Sequence, residues 1–498
     1  MSNYRILKSS LLISKKTKFM EIRLNKNNII KLSAFLVIFS LILLIYLFPT
    51  FLSQKQKQTY TSLEFVTPNI SAPNSFISIW NTAEDGVTGS NQLQLPLQST
   101  GTYNFLVNWG DTTNDTITNW NQTERTHTYA SEGEYTIAIS GIIIGWRFNG
   151  GDRDKIIEIQ QWGCLRLGNS GGYFDGCTNL KLTATDNLNL TGTTNLGYAF
   201  RDCLNLGGSG NMNGWNTSMV TSMAYMFSGA SSFNQPIGSW DVSRVTNMAH
   251  MFSGASSFIR LIGSWDVSSV TDMSYMFFED PSFNQLLDSW VVSNVITMRH
   301  MFDSASSFNT PLGSWDVSSV TDMSHMFFEA LSFNWPIGSW NVSSVTDMSY
   351  MFYNAASFNQ PLGSWDVSSV TDMEGLFANA WLFNQPLGSW NVSHVTDMLK
   401  MFYQIKLTQS NYDNLLLGWS QLNLQLHVNL EAGYSRYSSA AVDARRFIID
   451  NFLWNIDDGG LYTPQFVIPS YNIILVIAVC GVTIALISKK KIEMNYQT

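Results

Sequence analysis

Apolar residues recur along the middle of the chain with one long, fixed period. Tryptophan falls at Trp215, Trp240, Trp265, Trp290, Trp315, Trp340, Trp365 and Trp390, a constant step of 25 residues. Phenylalanine keeps the same step at Phe233, Phe258, Phe283, Phe308, Phe333, Phe358 and Phe383. A step this constant predicts a solenoid, in which each coil buries its apolar face only against its neighbours. One unit, residues 264–277, reads SWDVSSVTDMSYMF. Trp265 and Val267 alternate with polar residues, which predicts a short strand with one buried face. Val270, Met273, Met276 and Phe277 share one face at helical spacing, which predicts a helix or helical turn. Thr271 and Asp272 suit its first turn as cap and negative charge. A turn-rich return follows, with Pro236, Pro311, Pro336, Pro361 and Pro386 at one repeat position. The expected fold class is a mixed α/β repeat solenoid whose coils stack about 4.8 Å apart.

The pattern changes on both sides of this array. YFDGCTNL (173–180) and AFRDCLNL (199–206) are weaker copies of MFSGASSF, so the array is expected over 155–404 with irregular first coils. Residues 405–460 read as a cap, with helix starts at Ser410 and Ser439 and a closing NFLWNIDDGG. Residues 75–145 hold short alternating strands, NFLVNWGD, THTY and GEYTIAISG, the pattern of a small β-sandwich. Two runs, 32–52 and 466–488, are each long and apolar enough to cross a bilayer as a helix. Basic residues flank both, in 1–31 and 489–498, which puts the two ends in the cytoplasm and the rest outside. The first run also fits a removable signal segment, with Met20 as an alternative start.

Charge then narrows the partners. The whole chain carries −9, and eight bases with one acid lie in 1–31, so the region between the apolar runs is strongly acidic. That balance argues against nucleic acid. Asp272, Asp322, Asp347, Asp372 and Asp397 form one column, with Asn247 and Thr297 at the same position. Side-chain caps on backbone N–H groups explain that column; a row of Ca²⁺ ions is the alternative. Tyr225, His250, Tyr275, His300, His325 and Tyr350 form a second column, which is expected either to contact a protein or glycan partner or to pack along an edge. Two adjacent histidines, His300 and His325, are too few ligands for a metal centre. Cys177 and Cys203 occupy the place of Ala230 and Ala255 one coil apart, as a disulfide or as two buried thiols. Asn69, Asn114, Asn121, Asn189, Asn216, Asn341 and Asn391 open glycosylation sequons, although Asn341 and Asn391 merely replace the Asp of WDVS. No G-x-S-x-G, H-E-x-x-H or phosphate-binding glycine loop occurs, and no cofactor is expected.

The W-D/N-V-S-x-V-T-D-M-x-x-M-F unit resembles the repeat of BspA-type leucine-rich-repeat surface proteins, over roughly 150–460 and including the NYDxLLxGW…DGG ending. The WGD…THTY…GEYTI segment is similar to the polycystic-kidney-disease-like sandwich that often precedes such arrays. The final segment resembles the Pro-Gly-Phe-type anchor tails of archaeal surface proteins, departing from them at Pro469-Ser470-Tyr471. The resemblance implies a leucine-rich-repeat-like solenoid and a role at the cell membrane, with the main domains outside. Adhesion or ligand recognition is the function it implies, without catalysis. A structural envelope protein that self-assembles laterally is the alternative.

Overall fold

The computed structural model describes residues 74–463. Strands dominate the first part: β1 Phe76–Asn81, β2 Gln92–Gln94, β3 Leu97–Asn108, β4 Asn114–Ile117, β5 Thr126–Thr128, β6 Glu134–Trp146, β7 Ile156–Gln161, β8 Leu165–Arg166 and β9 Lys181–Leu182. β4, β3, β6, β1, β7 and β9 run in that order through one sheet, β8 also pairs with β6, and β2 pairs separately with β5. The long β3–β6 pairing is antiparallel, from Thr102 opposite Ile144 to Asn108 opposite Ala138. Alternate side chains, among them Phe105, Val107, Ile137 and Ile139, point into the core. This sheet does not stop at residue 145 as a sandwich of its own. β7 extends it antiparallel to β1, and β9 joins β7 in parallel. Its core continues without a break into the repeats.

The repeats themselves overturn the expected fold class. From Asn195 to Asp397 the coils contain neither helix nor regular strand; a single parallel bridge joins each to the next, for example Asp272 to Thr297 and Thr297 to Asp322. The stretch expected to be helical, 270–277, is a chain of tight turns. Met276, Phe278 and Asp280 donate their N–H to the carbonyls of Met273, Tyr275 and Phe277 within the coil. Met273, Tyr275, Phe277 and Glu279 donate instead to Thr297, Arg299, Met301 and Asp303 of the following coil, at 2.8–3.2 Å. An α-helix directs every N–H along its own axis, so this alternation excludes one. It is produced by two left-handed residues four apart in each coil, such as Tyr275 (φ 57°) and Glu279 (φ 54°) or His300 (φ 54°) and Ser304 (φ 61°). Among the described residues the α-helices are α1 Gln409–Trp419 and α2 Val442–Phe452, both in the cap. The cap also holds the parallel pair β10 Asn429–Glu431 and β11 Asn455–Asp457. Sheet and bridged turns thus replace a mixed α/β solenoid. No helix among the described residues is long and apolar enough to cross a membrane. The runs 32–52 and 466–488 lie outside the described residues.

What the pattern located correctly is the stacking face. Trp265, Val267, Val270, Met273, Met276 and Phe277 are all buried, and so are their counterparts in the other coils. Trp290, Trp315, Trp340, Trp365 and Trp390 stack at 6.4–6.5 Å between ring centroids with planes within 5°. Each indole also donates to a carbonyl of the preceding coil, as Trp315 Nε1 does to Leu287 at 2.9 Å and Trp340 Nε1 to Leu312 at 3.0 Å. Phe277, Phe302, Phe327, Phe352 and Phe377 stack beside them at 5.6–5.7 Å. In α1, Trp419 continues the series by donating to Leu387, so the cap ends the ladder with the same contact that built it. Replacing Trp315 by alanine removes a fully packed ring and strands a buried carbonyl. The variant is expected to lose about 3–5 kcal/mol, read as a fall in denaturant midpoint at unchanged slope; an unchanged midpoint refutes the ladder as the source of stability.

Candidate functional site

The six partner-binding candidates share one feature that sequence does not reveal: they occupy the first left-handed position of their coils. Tyr225, His250, Tyr275, His300, His325 and Tyr350 all have φ between 54° and 59°. That geometry turns their rings parallel along the rod. Starting from Tyr198, consecutive centroids lie 4.6, 4.2, 4.2, 4.3, 4.2 and 4.9 Å apart. The structure therefore brings all six together in one half-buried ladder. Each ring covers its neighbour's face, so only ring edges reach solvent. The two ends differ, Tyr198 remaining exposed. The Arg201 guanidinium lies 4.9 Å from the Tyr198 centroid. At the other end comes Gly375 (φ +59°), where a Cβ would come within 2.5 Å of the Tyr350 ring.

Burial sets the charge state of the ladder. It pushes His250 and His325 down to about 4, with the neighbouring His300 adding to the effect and Asp272 or Asp303 opposing it. His325 Nδ1 is buried without a hydrogen-bond partner. His300 Nδ1 meets Asp303 Oδ2 at 2.6 Å. Desolvation, then the hydrogen bond to Glu374, raises the Tyr350 hydroxyl.

The aspartate column is a set of turn caps. Asp272 Oδ1 accepts from the N–H and hydroxyl of Ser274 at 2.9 and 2.6 Å, and Asp322 and Asp347 do the same for Ser324 and Ser349. Asp372 and Asp397 accept from the N–H of Glu374 and Leu399. Desolvation, then repulsion from Asp347 and Asp397, raises Asp372. Among the described residues no group of three or more His, Cys, Asp or Glu is placed to hold a metal ion. Asn341 and Asn391 cap Ser343 and Ser393 as Asp266 caps Ser268. Asn114, Asn121, Asn189 and Asn216 are exposed like them, whereas Asn69 lies outside the described residues. Cys177 and Cys203 are free, buried thiols, and Cys203 Sγ lies 3.1 Å from the Phe174 carbonyl.

Two features escaped sequence reasoning. An asparagine ladder runs along the return turns: Asn284, Asn309, Asn334 and Asn359 each accept the N–H one coil later at 2.9–3.1 Å. Asparagine at one repeat position was the available signal. The second is Asp280, at the place of Ala255 and Ala305. It is wholly buried with neither carboxyl oxygen in a hydrogen bond by geometry. Desolvation pushes it up to about 8, opposed only by the nearby N–H groups of Ser282 and Phe283.

Together these ladders define a repeat-solenoid protein whose side chains serve mainly to join one coil to the next. Residues 169–267, 237–319, 259–342 and 311–415 match, in four overlapping stretches, a family described as "Mycoplasma protein of unknown function, DUF285". No curated protein and no solved structure matches the chain.

Two pH effects of opposite sign are expected. Asp280 stays protonated in the fold up to about pH 8 but ionises near 3.8 when unfolded. Its stability is therefore complete below the unfolded value and is lost as pH rises through 8. Asp280→Ala is expected to stabilise by about 1–3 kcal/mol at neutral pH, and by less at pH near 4. An equal gain at both pH values contradicts the burial. For His250 and His325 the folded value is depressed, so stability present above the unfolded 6.5 is lost as pH falls toward about 4. His325→Phe should lose less on acidification than the wild type in thermal melts, and equal losses would count against a neutral stacked imidazole.

Proposed function

We propose that the chain is a cell-surface recognition or adhesion protein, presenting its solenoid to a protein or glycan ligand on another cell or on matrix. The resemblance to BspA-type surface proteins, with a polycystic-kidney-disease-like segment ahead of the repeats, supports this reading. The observation that carries it is the placement of coil-specific apolar side chains on an otherwise self-satisfied surface. Trp381 and Leu382 are 65% and 60% exposed, at positions where most coils carry small residues, chiefly serine. Trp335 is exposed where the coils beside it carry threonine and glutamine. Exposed aromatic groups on a rigid scaffold are what partner recognition uses. The reading is of a binding protein and not of an enzyme.

A second reading, lateral self-assembly as an envelope component, draws on one specific stretch. Leu286, Val291 and Ile296 replace the proline, aspartate and threonine usual at those positions, and all three are exposed beside Leu261. Exposed apolar substitutions of this kind are what lateral association would bury. Sedimentation of the full chain, together with a cell- and matrix-adhesion assay, separates the two. Monomers that adhere, and that adhere less with Trp381→Ser, are expected. Ordered assemblies abolished by Leu286→Gln would replace adhesion with the envelope role.

A further inference from the structure

Two cavities meet at Arg147, where the sheet passes into the first coils. One, about 440 Å³, is lined by Gln98, Thr100, Arg125, Arg147 and Asp152. The other, about 470 Å³, is lined by Arg147, Gly172, Asn195, Tyr198 and Arg201. Ser170 borders both. The guanidinium of Arg201 is already engaged, with Nε and Nη2 on the two oxygens of Asp175 at 2.8 and 2.9 Å. Arg125 and Arg147 have no carboxylate partner among the described residues. Asp152, the acid in the wall, accepts from Thr88 and from the Gln94 N–H at 2.7–3.1 Å and makes no ion pair with either arginine. Gln98 accepts from the Ser170 hydroxyl at 2.7 Å, while its Nε2 is buried with no acceptor.

Two guanidinium groups without a carboxylate, that of Arg125 lying 5.9 Å from the Trp120 ring centroid, and an orphan amide donor around one polar cavity call for an anion rich in acceptors. In a chain of net charge −9 this positive spot is local, which argues against a long polyanion lying along the rod. Hydroxyls and amides in the walls, with the exposed Tyr198 at the end of its ring stack, suit a hydroxylated ring better than an apolar side chain. We propose that the two neighbouring cavities, which share Arg147 and Ser170 in their walls, bind an acidic saccharide, its carboxylate on Arg147 beside Arg125 and its adjoining sugar ring against Asn195 and Tyr198. This deepens the recognition reading and rests on it.

The full chain is titrated calorimetrically with trigalacturonate, its methyl ester, triglutamate and inorganic phosphate. Only trigalacturonate should bind appreciably. Equal binding by the ester, the peptide or phosphate overturns the proposal. Arg147→Gln and Arg125→Gln should each weaken binding at least about ten-fold without shifting the melting temperature. Arg299→Gln, out on the solenoid, should leave it unchanged, and an equal loss there would mean unspecific attraction. Saturation-transfer NMR on the unmodified chain needs no variant, and its failure to mark the sugar protons also overturns the site. Cell adhesion is scored separately: adhesion that persists without saccharide binding removes this site and leaves the recognition reading standing.

Discussion

Each coil of this protein depends on the next for acceptors for half of the backbone N–H groups in the 273–280 stretch and its equivalents. The N–H groups of Met273, Tyr275, Phe277 and Glu279 find acceptors only in the following coil. A buried N–H left without a partner is costly, so a single coil has no stable form alone. Stability is then a sum over interfaces between neighbours. The 25-residue step is the sequence-level expression of that requirement, since every donor must meet its acceptor at a constant offset.

The same offset turns individual side chains into ladders. Indoles reach back to a carbonyl, phenylalanines stack, asparagine amides accept the N–H one coil later, and threonine hydroxyls such as Thr371 Oγ1 bond the Thr346 carbonyl. A ladder must also begin and end. At the start, Trp215 Nε1 is buried without an acceptor. At the finish, Trp419 of α1 and the bridge from Met398 to Leu430 close the last coil. The half-buried Tyr/His ladder belongs to this logic too. Its rings face one another and leave little to a ligand but their edges. The cations without a carboxylate partner stand at Arg147, where the sheet meets the irregular first coils and the repeat no longer dictates each side chain.

Legibility followed periodicity. Trp265, Val267, Met273 and Phe277 were readable as the buried face because burial repeats wherever the residue type repeats. The turn-capping role of Asp272 was readable from the column it shares with Asp322 and Asp347, with the wrong element assigned to the turn. The helix expected over 270–277 failed because Tyr275 and Glu279, residues that ordinarily avoid positive φ, adopt it here. The clue was displaced to other coils, where Gly229, Gly254, Gly375, Asn354 and Asn379 stand at the left-handed positions. Asp280 was invisible as an anomaly because its coil as a whole departs from the consensus.

The sequence by itself determined the period and the stacking face, since those follow from which residues can leave water and how often. Only the tertiary structure decided that the coils are bridged turns, that the sheet shares its core with the solenoid, and that the Tyr/His column is a ring stack. It also decided that Arg125 and Arg147 border one cavity without acid partners. The physical reason is the same in each case. Whether an N–H points along its own chain or across to the next coil, and whether a cation finds a carboxylate, depends on neighbours 24 to 26 residues away or further, a distance over which local propensity carries no information.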